Sequence, residues 1–438
     1  MVFGAGIAGL LAARVLADHA DRVTLVERDR LSSGPRRGVP QGWHAHALLP
    51  RGQHILQELF PGLRAELVAG GAVSYELLDE ARTVVGGHRL CRAPMLDTPG
   101  LALSRPFLED NIRRRLLERS NVTLLDGWDA IEPVIEDGRV VAARIGRSAP
   151  ASHGSEEQVL PAELVVDAMG RAGRSATWLA HAGYGRPATE EVALDVGYST
   201  CYLEMPDGVF GQDLGTLISG SPGNPRSLAA FKVEGDRWVF GLGGMCGDHP
   251  PADREGFLDF AASVVRNTMP DLLPAVQQAK QLTKIFQARY PSAIRRRFDR
   301  MARLPAGLLA LGDSLCSFDP LYGQGMSTAA IQAIALRDSL ARGAGLERRY
   351  FQAAIAAVTP VWKMALAADL AIPGVSGKSS LSSRALGRYI ERVQHAATHS
   401  PAAAVAMLRV LTLLEPPASL FSPSIVRQVL RSSGGGLR

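Results

Sequence analysis

The sequence predicts an α/β fold: a parallel-sheet unit, an antiparallel sheet set into it, and a helical C-terminal part. Three observations predict it. Residues 1–27 read as strand, glycine-rich turn, helix and strand. Between 188 and 300 apolar and polar residues alternate in short runs separated by Asp-Gly and Glu-Gly turns, the pattern of antiparallel strands. A late buried run at 308–311 leads through a turn into a long helix after Gly325, and 345–431 reads as helices broken by Pro373, Pro401 and Pro416-Pro417.

At 438 residues, and with about 150 residues per domain, two or three domains are expected. Apolar residues make up 46% and charged residues 21% of the chain, which fits a globular protein with a sizeable core and argues against disorder. Net charge is +5, but only five of the 48 basic residues are Lys, the rest being Arg. Beside the abundant Ala, Gly and Leu, this is the imprint of a GC-rich coding sequence, so the basic pI of 9.2 carries little weight as a sign of nucleic-acid binding, and none is expected. The four Cys, at 91, 201, 246 and 316, form no CxxC pair; a disulfide framework is not expected, and a reducing cytoplasm is the default location. The late apolar stretch 402–414 contains Arg409 and is too short for a span of about 20 residues, so no transmembrane segment is expected. No secretory signal is expected either, because glycines interrupt the opening apolar run and no basic flank precedes it.

In chain order, the first strand ends at Phe3. Three residues are few for a buried strand, so either the start codon lies upstream or the strand is stunted. A helix is expected at 10–18, a strand at 23–26, a long polar loop at 28–53 and a helix at 52–60. Loop and short strands are expected over 64–100. Ser104 is placed to cap a helix running to about 119, with Pro106 in its first turn. A β-meander follows around Asp137-Gly138, with a polar, mobile far loop at 146–158, then a buried strand at 164–166. Helices are expected at 254–266, 270–279 and 325–342, and a frayed tail at 432–438.

Two motifs carry chemistry. Gly4-Ala5-Gly6-Ile7-Ala8-Gly9 follows a strand and opens a helix, and Glu27 ends the next strand 23 residues after Gly4. Gly4 allows the tight turn, Gly6 lets backbone approach a pyrophosphate, and Gly9 lets helix and strand pack closely. The helix N-terminus with Ile7 and Ala8 faces negative charge, and Glu27 can accept from ribose hydroxyls. Glu27-Arg28 suits either NAD or FAD. The second motif decides for FAD. Gly312-Asp313 follows a buried strand, and Asp319-Pro320-Leu321-Tyr322-Gly323-Gln324-Gly325-Met326 opens a long helix. Asp313 can hold a ribityl hydroxyl, and the Gly325 and Met326 amides can donate to the flavin's pyrimidine oxygen.

With these motifs the chain resembles the flavoprotein monooxygenases of the para-hydroxybenzoate hydroxylase fold, in which a Rossmann-like, GR2-type FAD-binding domain carries an antiparallel substrate domain. The third signature of that family matches Asp167-Ala168-Met169-Gly170-Arg171, with Ala168 in place of the usual Gly. The stretch Gly38-Val39-Pro40-Gln41-Gly42-Trp43-His44-Ala45-His46 and the helical extension are similar to a narrower branch, the squalene-epoxidase-like bacterial epoxidases of polyether and terpenoid biosynthesis. The resemblance implies an FAD domain of residues 1–75, 100–185 and 300–342, a substrate domain of 76–99 and 186–299, and a helical region at 343–431. It implies that Arg37, Gln41, Arg105 and Asp167 lie at the cofactor. His44 and His46 would share one side of an extended segment, but no third ligand completes a metal site, and none is expected.

The resemblance further implies an FAD-dependent monooxygenase whose flavin hydroperoxide carries the chemistry, so that no side chain acts as a catalytic nucleophile. Epoxidation of a C=C bond in an apolar polyene or terpenoid of specialised metabolism, such as antibiotic biosynthesis, is the favoured reaction. Phenolic hydroxylation and FAD-dependent reduction of isoprenoid double bonds are the alternatives. O2 is the co-substrate. NAD(P)H supplies electrons directly or through a flavin reductase, because no second G-x-G-x-x-G provides a separate nicotinamide domain. Tyr198, Tyr202, Phe231 and Trp238 in the central sheet are candidates to line the substrate pocket. The five Trp do not form the Trp-x-Trp-x-Ile pattern of flavin-dependent halogenases.

Overall fold

The protein is described by a computed structural model covering the chain except residues Ser33, Arg37, Gly38, Ala47, Leu96, 149–154, 207–209, 378–380 and 435–438. A five-stranded parallel sheet runs in the order Leu308–Ala310, Val165–Asp167, Val2–Phe3, Val23–Glu27, Val122–Asp126. The opening strand is short but central: Val2 pairs with Val166 on one side and Leu25 on the other. Strands buried on both faces read as continuous apolar runs, which is why 308–311 and 164–166 were recognisable. Helix Ile7–Leu16 begins earlier than expected and packs against helix Gly325–Leu340. Its Leu10 and Leu11 are fully buried, each contributing roughly 1.5–3 kcal/mol of burial.

The second sheet is mainly antiparallel. Its long strand Ala188–Glu204 pairs with Arg237–Gly244 and with Phe286–Arg297, and a bulge between Ala193 and Val196 turns it where Asp195 takes a left-handed backbone. Strand Ala81–Val85 joins the far side, parallel to Gly215–Ile218. One face of this sheet, with Cys201, Leu203, Trp238, Phe240 and Leu242, packs in one apolar cluster with residues of helices Arg254–Val265 and Leu272–Gln278. The other face carries Tyr202, Phe231 and Val239, packed with Ala45 and Tyr75. Trp238 therefore does not share a pocket with Tyr202 and Phe231: strand alternation sends it to the opposite face, where it stacks on Phe210 at 4.3 Å.

Helix Leu346–Asp369 buries Tyr350, Phe351, Ala354, Val358 and Trp362, and Tyr350 Oη donates to Ala310 O at the edge of the parallel sheet. It is long and apolar enough to cross a bilayer by length and composition, but one of its faces is committed to this core. Helices Leu381–Ala396, Pro401–Leu411 and Pro423–Gly434 share a separate cluster with Leu77, Leu78, Leu90 and Met95.

Four local expectations are corrected. Residues Leu63–Ala69 form a helix where loop was expected. The segment 146–158 is no free loop over its described part: strands Arg139–Ser148 and Ser155–Pro161 pair, with Ser155 opposite Ser148. Within the polar loop 28–53, Pro40–Trp43 forms a turn of 3-10 helix. The final helix runs on to Gly434, into the segment expected to fray. All four cysteines are free.

Candidate functional site

The site lies where the carboxyl ends of the parallel strands meet the second sheet. Gly4 turns the chain with φ +94°, and its N–H donates to Val26 O. A side chain there would strike Ala168 O at 2.6 Å, and one at Gly9 would reach Gly4 O at 1.8 Å. Gly6 is different: a Cβ there would meet nothing nearer than 3.8 Å. Gly6 caps helix Ile7–Leu16 without any side-chain cap, so the first amides of the helix, Ile7 and Ala8 among them, receive no capping side chain. The atoms nearest the Gly6 Cβ position are those of the Arg105 and Arg36 guanidinium groups and the Glu109 carboxylate.

These side chains form one network. Glu27 Oε2 accepts from Ala5 N at 2.9 Å and lies 2.6 Å from Arg36 Nη1. Arg36 Nη2 donates to Ala5 O (3.0 Å) and reaches Glu109 at 3.4 Å, and Arg105 Nε donates to Glu109 Oε1 at 2.9 Å. Helix Arg105–Leu117 sets Arg105 and Glu109 one turn apart, and Ser104 Oγ caps it as expected, accepting from Phe107 N. Arg36 Nη1 is buried and, despite its nearness to Glu27, lacks a hydrogen bond of good geometry. A narrow surface cleft opens beside these groups, lined by Arg36, Gly42, Arg105, Pro106 and Glu109.

Asp313 sits at the end of strand Leu308–Ala310, beyond Gly312. Gly312 has φ +71°, and a side chain there would strike Ala8 Cβ at 2.6 Å, so the second motif packs directly on the first. Gly312 N donates to Gln332 Oε1 at 2.7 Å, which ties the turn to helix Gly325–Leu340. The Asp313 carboxyl makes no hydrogen bond among the described residues. Burial pushes its pKa up, against the pull of nearby Arg105, Arg171 and Arg296. The turn Pro320–Tyr322 is closed by Gly323 in the left-handed region (φ +64°), and Leu321 seats against Gly243 of the second sheet. Gly325 opens the helix with nothing within 4 Å of its Cβ position, and the Met326 side chain is buried.

Between the two motifs lies the 44–46 loop. His44 Nδ1 bonds Thr200 Oγ1 at 2.9 Å and meets Tyr198 edge-on at 4.5 Å. His46 bonds His44 O at 2.9 Å and lies 3.5 Å from Arg105 Nη1. Burial drives the His44 pKa down to about 4. Burial and then the Arg105 charge drive His46 to about 3, so both rings are neutral near pH 7. No three-ligand cluster suited to a metal occurs among the described residues.

Several expected site residues are placed otherwise. Asp167 is fully buried and its oxygens are taken by Met169 N, Ser175 N, Ser175 Oγ and Ser314 Oγ; it fixes the 312–314 turn and has no open face for a ligand. The Arg28 side chain is more than half exposed, with its Nε 4.0 Å from Asp29. Arg37 lies outside the described residues. The Gln41 side chain makes no hydrogen bond among them. Sequence reading missed Arg36, Glu109 and Gln332. For Glu109 a signal existed: it stands four residues after Arg105, the spacing of a helical ion pair.

The residues present fit a dinucleotide. The helix start has no side-chain cap, the Arg36 and Arg105 heads stand beside it, paired with Glu27 and Glu109, and Asp313 has an unused carboxyl for a hydroxyl.

The fold is that of flavoprotein oxygenases and their kin. A flavoprotein/dehydrogenase from Cytophaga hutchinsonii superposes with a TM-score of 0.70 at 14% identity, covering 99% of this chain and 98% of its own. The flavin-dependent brominase Bmp2, as a triple mutant, gives 0.68 at 14% over 98% of both chains. The p-nitrophenol 4-monooxygenase PnpA from Pseudomonas putida gives 0.66 at 16%, over 95% of this chain and 98% of its own. No family model matches the sequence. Protein Rv3254 of Mycobacterium tuberculosis is 34% identical over 387 residues, 84% of this chain and 80% of that protein, and the chain belongs to the same family.

Proposed function

We propose that this protein is an FAD-dependent monooxygenase that transfers one oxygen atom from O2 to an apolar small molecule, and that its reaction is epoxidation of a C=C bond in a polyene or terpenoid. The observation that carries the reading is the pairing of two half-sites through one contact, Gly312 against Ala8. This contact sets the open helix start at Gly6 and the unpartnered Asp313 carboxyl side by side.

In this reading the amides of Gly6, Ile7 and Ala8, with Arg36 and Arg105, hold the pyrophosphate. Glu27 holds the ribose, in exchange for part of its contact with Arg36, and Asp313 holds the ribityl chain. The Gly325 and Met326 amides face the pyrimidine ring. Bound and reduced FAD supplies the activation of O2; NAD(P)H or a reductase supplies the electrons. The protein's own part is to bind, orient and exclude water. The sheet face bearing Tyr198, Tyr202 and Phe231 belongs to the substrate side in this reading. Neutral, buried His44 and His46 hold the loop between the two sites without adding charge.

The test begins with bound FAD in purified protein, followed by turnover of polyene substrates under labelled O2. Label in an epoxide supports the reading, and reduction without label assigns a reductase. General acid–base groups are worth about 10²- to 10⁴-fold, so single replacements of His44, Tyr198 or Tyr202 in flavin-replete enzyme should cost less than about 10²-fold. One such variant at about a ten-thousandth of normal activity, with FAD in place, would assign the hydroxylase instead.

A further inference from the structure

Two carboxyl groups far apart in sequence meet beneath the loop that carries Gly325 and Met326. Asp319 opens that loop, and Asp369 closes helix Leu346–Asp369. Both are buried, each only 1% exposed. Asp319 Oδ1 accepts from Leu321 N at 2.8 Å, and Asp369 Oδ1 accepts from Tyr322 Oη at 2.8 Å. Asp319 Oδ2 has no donor among the described residues. Both carboxyl groups line the same narrow pocket.

No cation among the described residues pairs with them: neither forms an ion pair with Arg, Lys or His. Arg295 lies over the ring of Trp362, which lines the same pocket, at 5.1 Å and is committed to Glu190 and Thr359. The other groups facing the pair are Tyr322 on the loop and, from the long strand, Tyr198, whose own ionisation Asp319 opposes. That pocket, lined also by Val192, Ala293, Phe318 and Trp362, is too narrow to seat a water molecule. Two adjacent carboxylates without cation or water cannot both stay ionised. A proton between them supplies the donor that Asp319 Oδ2 lacks.

We propose that Asp319 and Asp369 hold one proton between them, and that this pair, with Tyr322, positions the loop 319–325 by latching it to the end of helix Leu346–Asp369. Asp319 and Asp369 are thus positioning residues for the backbone amides of Gly325 and Met326. The consequence for cofactor binding rests on the flavin reading of that loop; the shared proton does not. Burial and mutual repulsion raise the Asp319 pKa, and burial raises that of Asp369 to about 6. The pair titrates as a unit, losing one proton near there and holding the shared one to higher pH. Because the folded state binds these protons more tightly than the unfolded chain, the stabilisation is complete below the ordinary carboxylate range and declines as pH rises.

The experiment combines three readouts on the full-length protein. Infrared spectroscopy of apoprotein at neutral pH should show a protonated, buried carboxyl C=O stretch in the wild type that both D319N and D369N remove. Thermal midpoints of apoprotein followed from about pH 5 to 9 should decline less steeply in D369N, whose amide keeps a donor at every pH. FAD titration should give D369N an affinity near that of wild type, with D369A weakened about tenfold or more. Absence of the carboxyl band in wild type, or an unchanged pH slope in both Asn variants, overturns the shared proton. Wild-type FAD affinity in D369A overturns the positioning role. Failure of wild-type protein to bind FAD overturns the flavin reading, and is told apart from failure of the latch by the two apoprotein measurements.

Discussion

Gly6 and Gly9 sit three residues apart in one motif yet answer to different demands, and substitution separates them. A methyl at Gly9 would press into Gly4 O from 1.8 Å, backbone against backbone, so Gly9→Ala should destabilise the apoprotein itself. Overpacking of this kind costs typically 1–3 kcal/mol. At Gly6 the nearest neighbours stand 3.8 Å off, so Gly6→Val should leave the apoprotein melting point nearly unchanged while obstructing the pyrophosphate. Melting curves with FAD titration check both; equal loss of apoprotein stability in the two variants would contradict the geometry. Glu27→Ala should lose a charged hydrogen bond to the ribose of about 1.5–3 kcal/mol, weakening FAD by about 10- to 150-fold. At this scale the sequence was legible where a role follows from backbone. Gly4, Gly6, Gly9 and Gly312 are needed wherever a strand must turn into a helix against another chain segment. It was not legible where neighbours decide. Of the Arg36-Arg37 pair, loop conformation alone brings Arg36 over Ala5 and Glu27. Asp167, a carboxylate at a strand end like Glu27, is closed off by Ser175 and Ser314, which the chain brings in from 8 and 147 residues away.

Among elements, helix Arg105–Leu117 connects sequence to site most directly, because its cap, its first-turn Pro and its Arg105–Glu109 pair are local features. Ser104→Ala should cost about 1 kcal/mol, whereas Ser104→Asp, which can still accept from Phe107 N, should cost less. Chemical denaturation measures both, and identical losses would remove the cap from the account. The elements missed by pattern lack such signals. Helix Leu63–Ala69 is seven residues long, buries only Leu63 and Leu67, and is hidden between Gly62 and Gly70-Gly71. The hairpin Arg139–Ser148 with Ser155–Pro161 has a polar second strand because it is largely solvent-facing. It is held by its backbone ladder and by cross-strand pairs such as Arg147–Glu156 at 2.7 Å, so its composition reads as loop.

At the scale of the whole molecule, the C-terminal helices serve two cores, and that division makes their contributions separable. Helix Leu346–Asp369 belongs to the parallel-sheet core. Its Tyr350 reaches Ala310 O, its Phe351 stacks on Phe298 at 4.8 Å, and its Asp369 takes the Tyr322 hydroxyl beneath the proposed flavin loop. The later helices instead cover Leu77, Leu78, Leu90 and Met95 beside the outer strands Ala81–Val85 and His88–Arg89, away from both motifs. The order of elements along the chain hides this split, since the Pro breaks in 345–431 separate its helices without saying which core each one covers. Truncation after Arg342 removes both sets. It should leave the edge of the parallel sheet bare and the loop 319–325 unsupported, giving insoluble or flavin-poor protein. Truncation after Val375 removes only the later set. It exposes the Leu77–Met95 surface, so soluble yield should fall, but the fraction that stays in solution should still bind FAD, because every contact to Gly312, Asp313 and the loop remains. Soluble yield and FAD per chain, measured for both truncations, decide the matter. A flavin-free but soluble protein ending at Val375 would mean that the last helices reach the cofactor site, and a fully flavinated protein ending at Arg342 would mean that the parallel-sheet unit needs no helical cover.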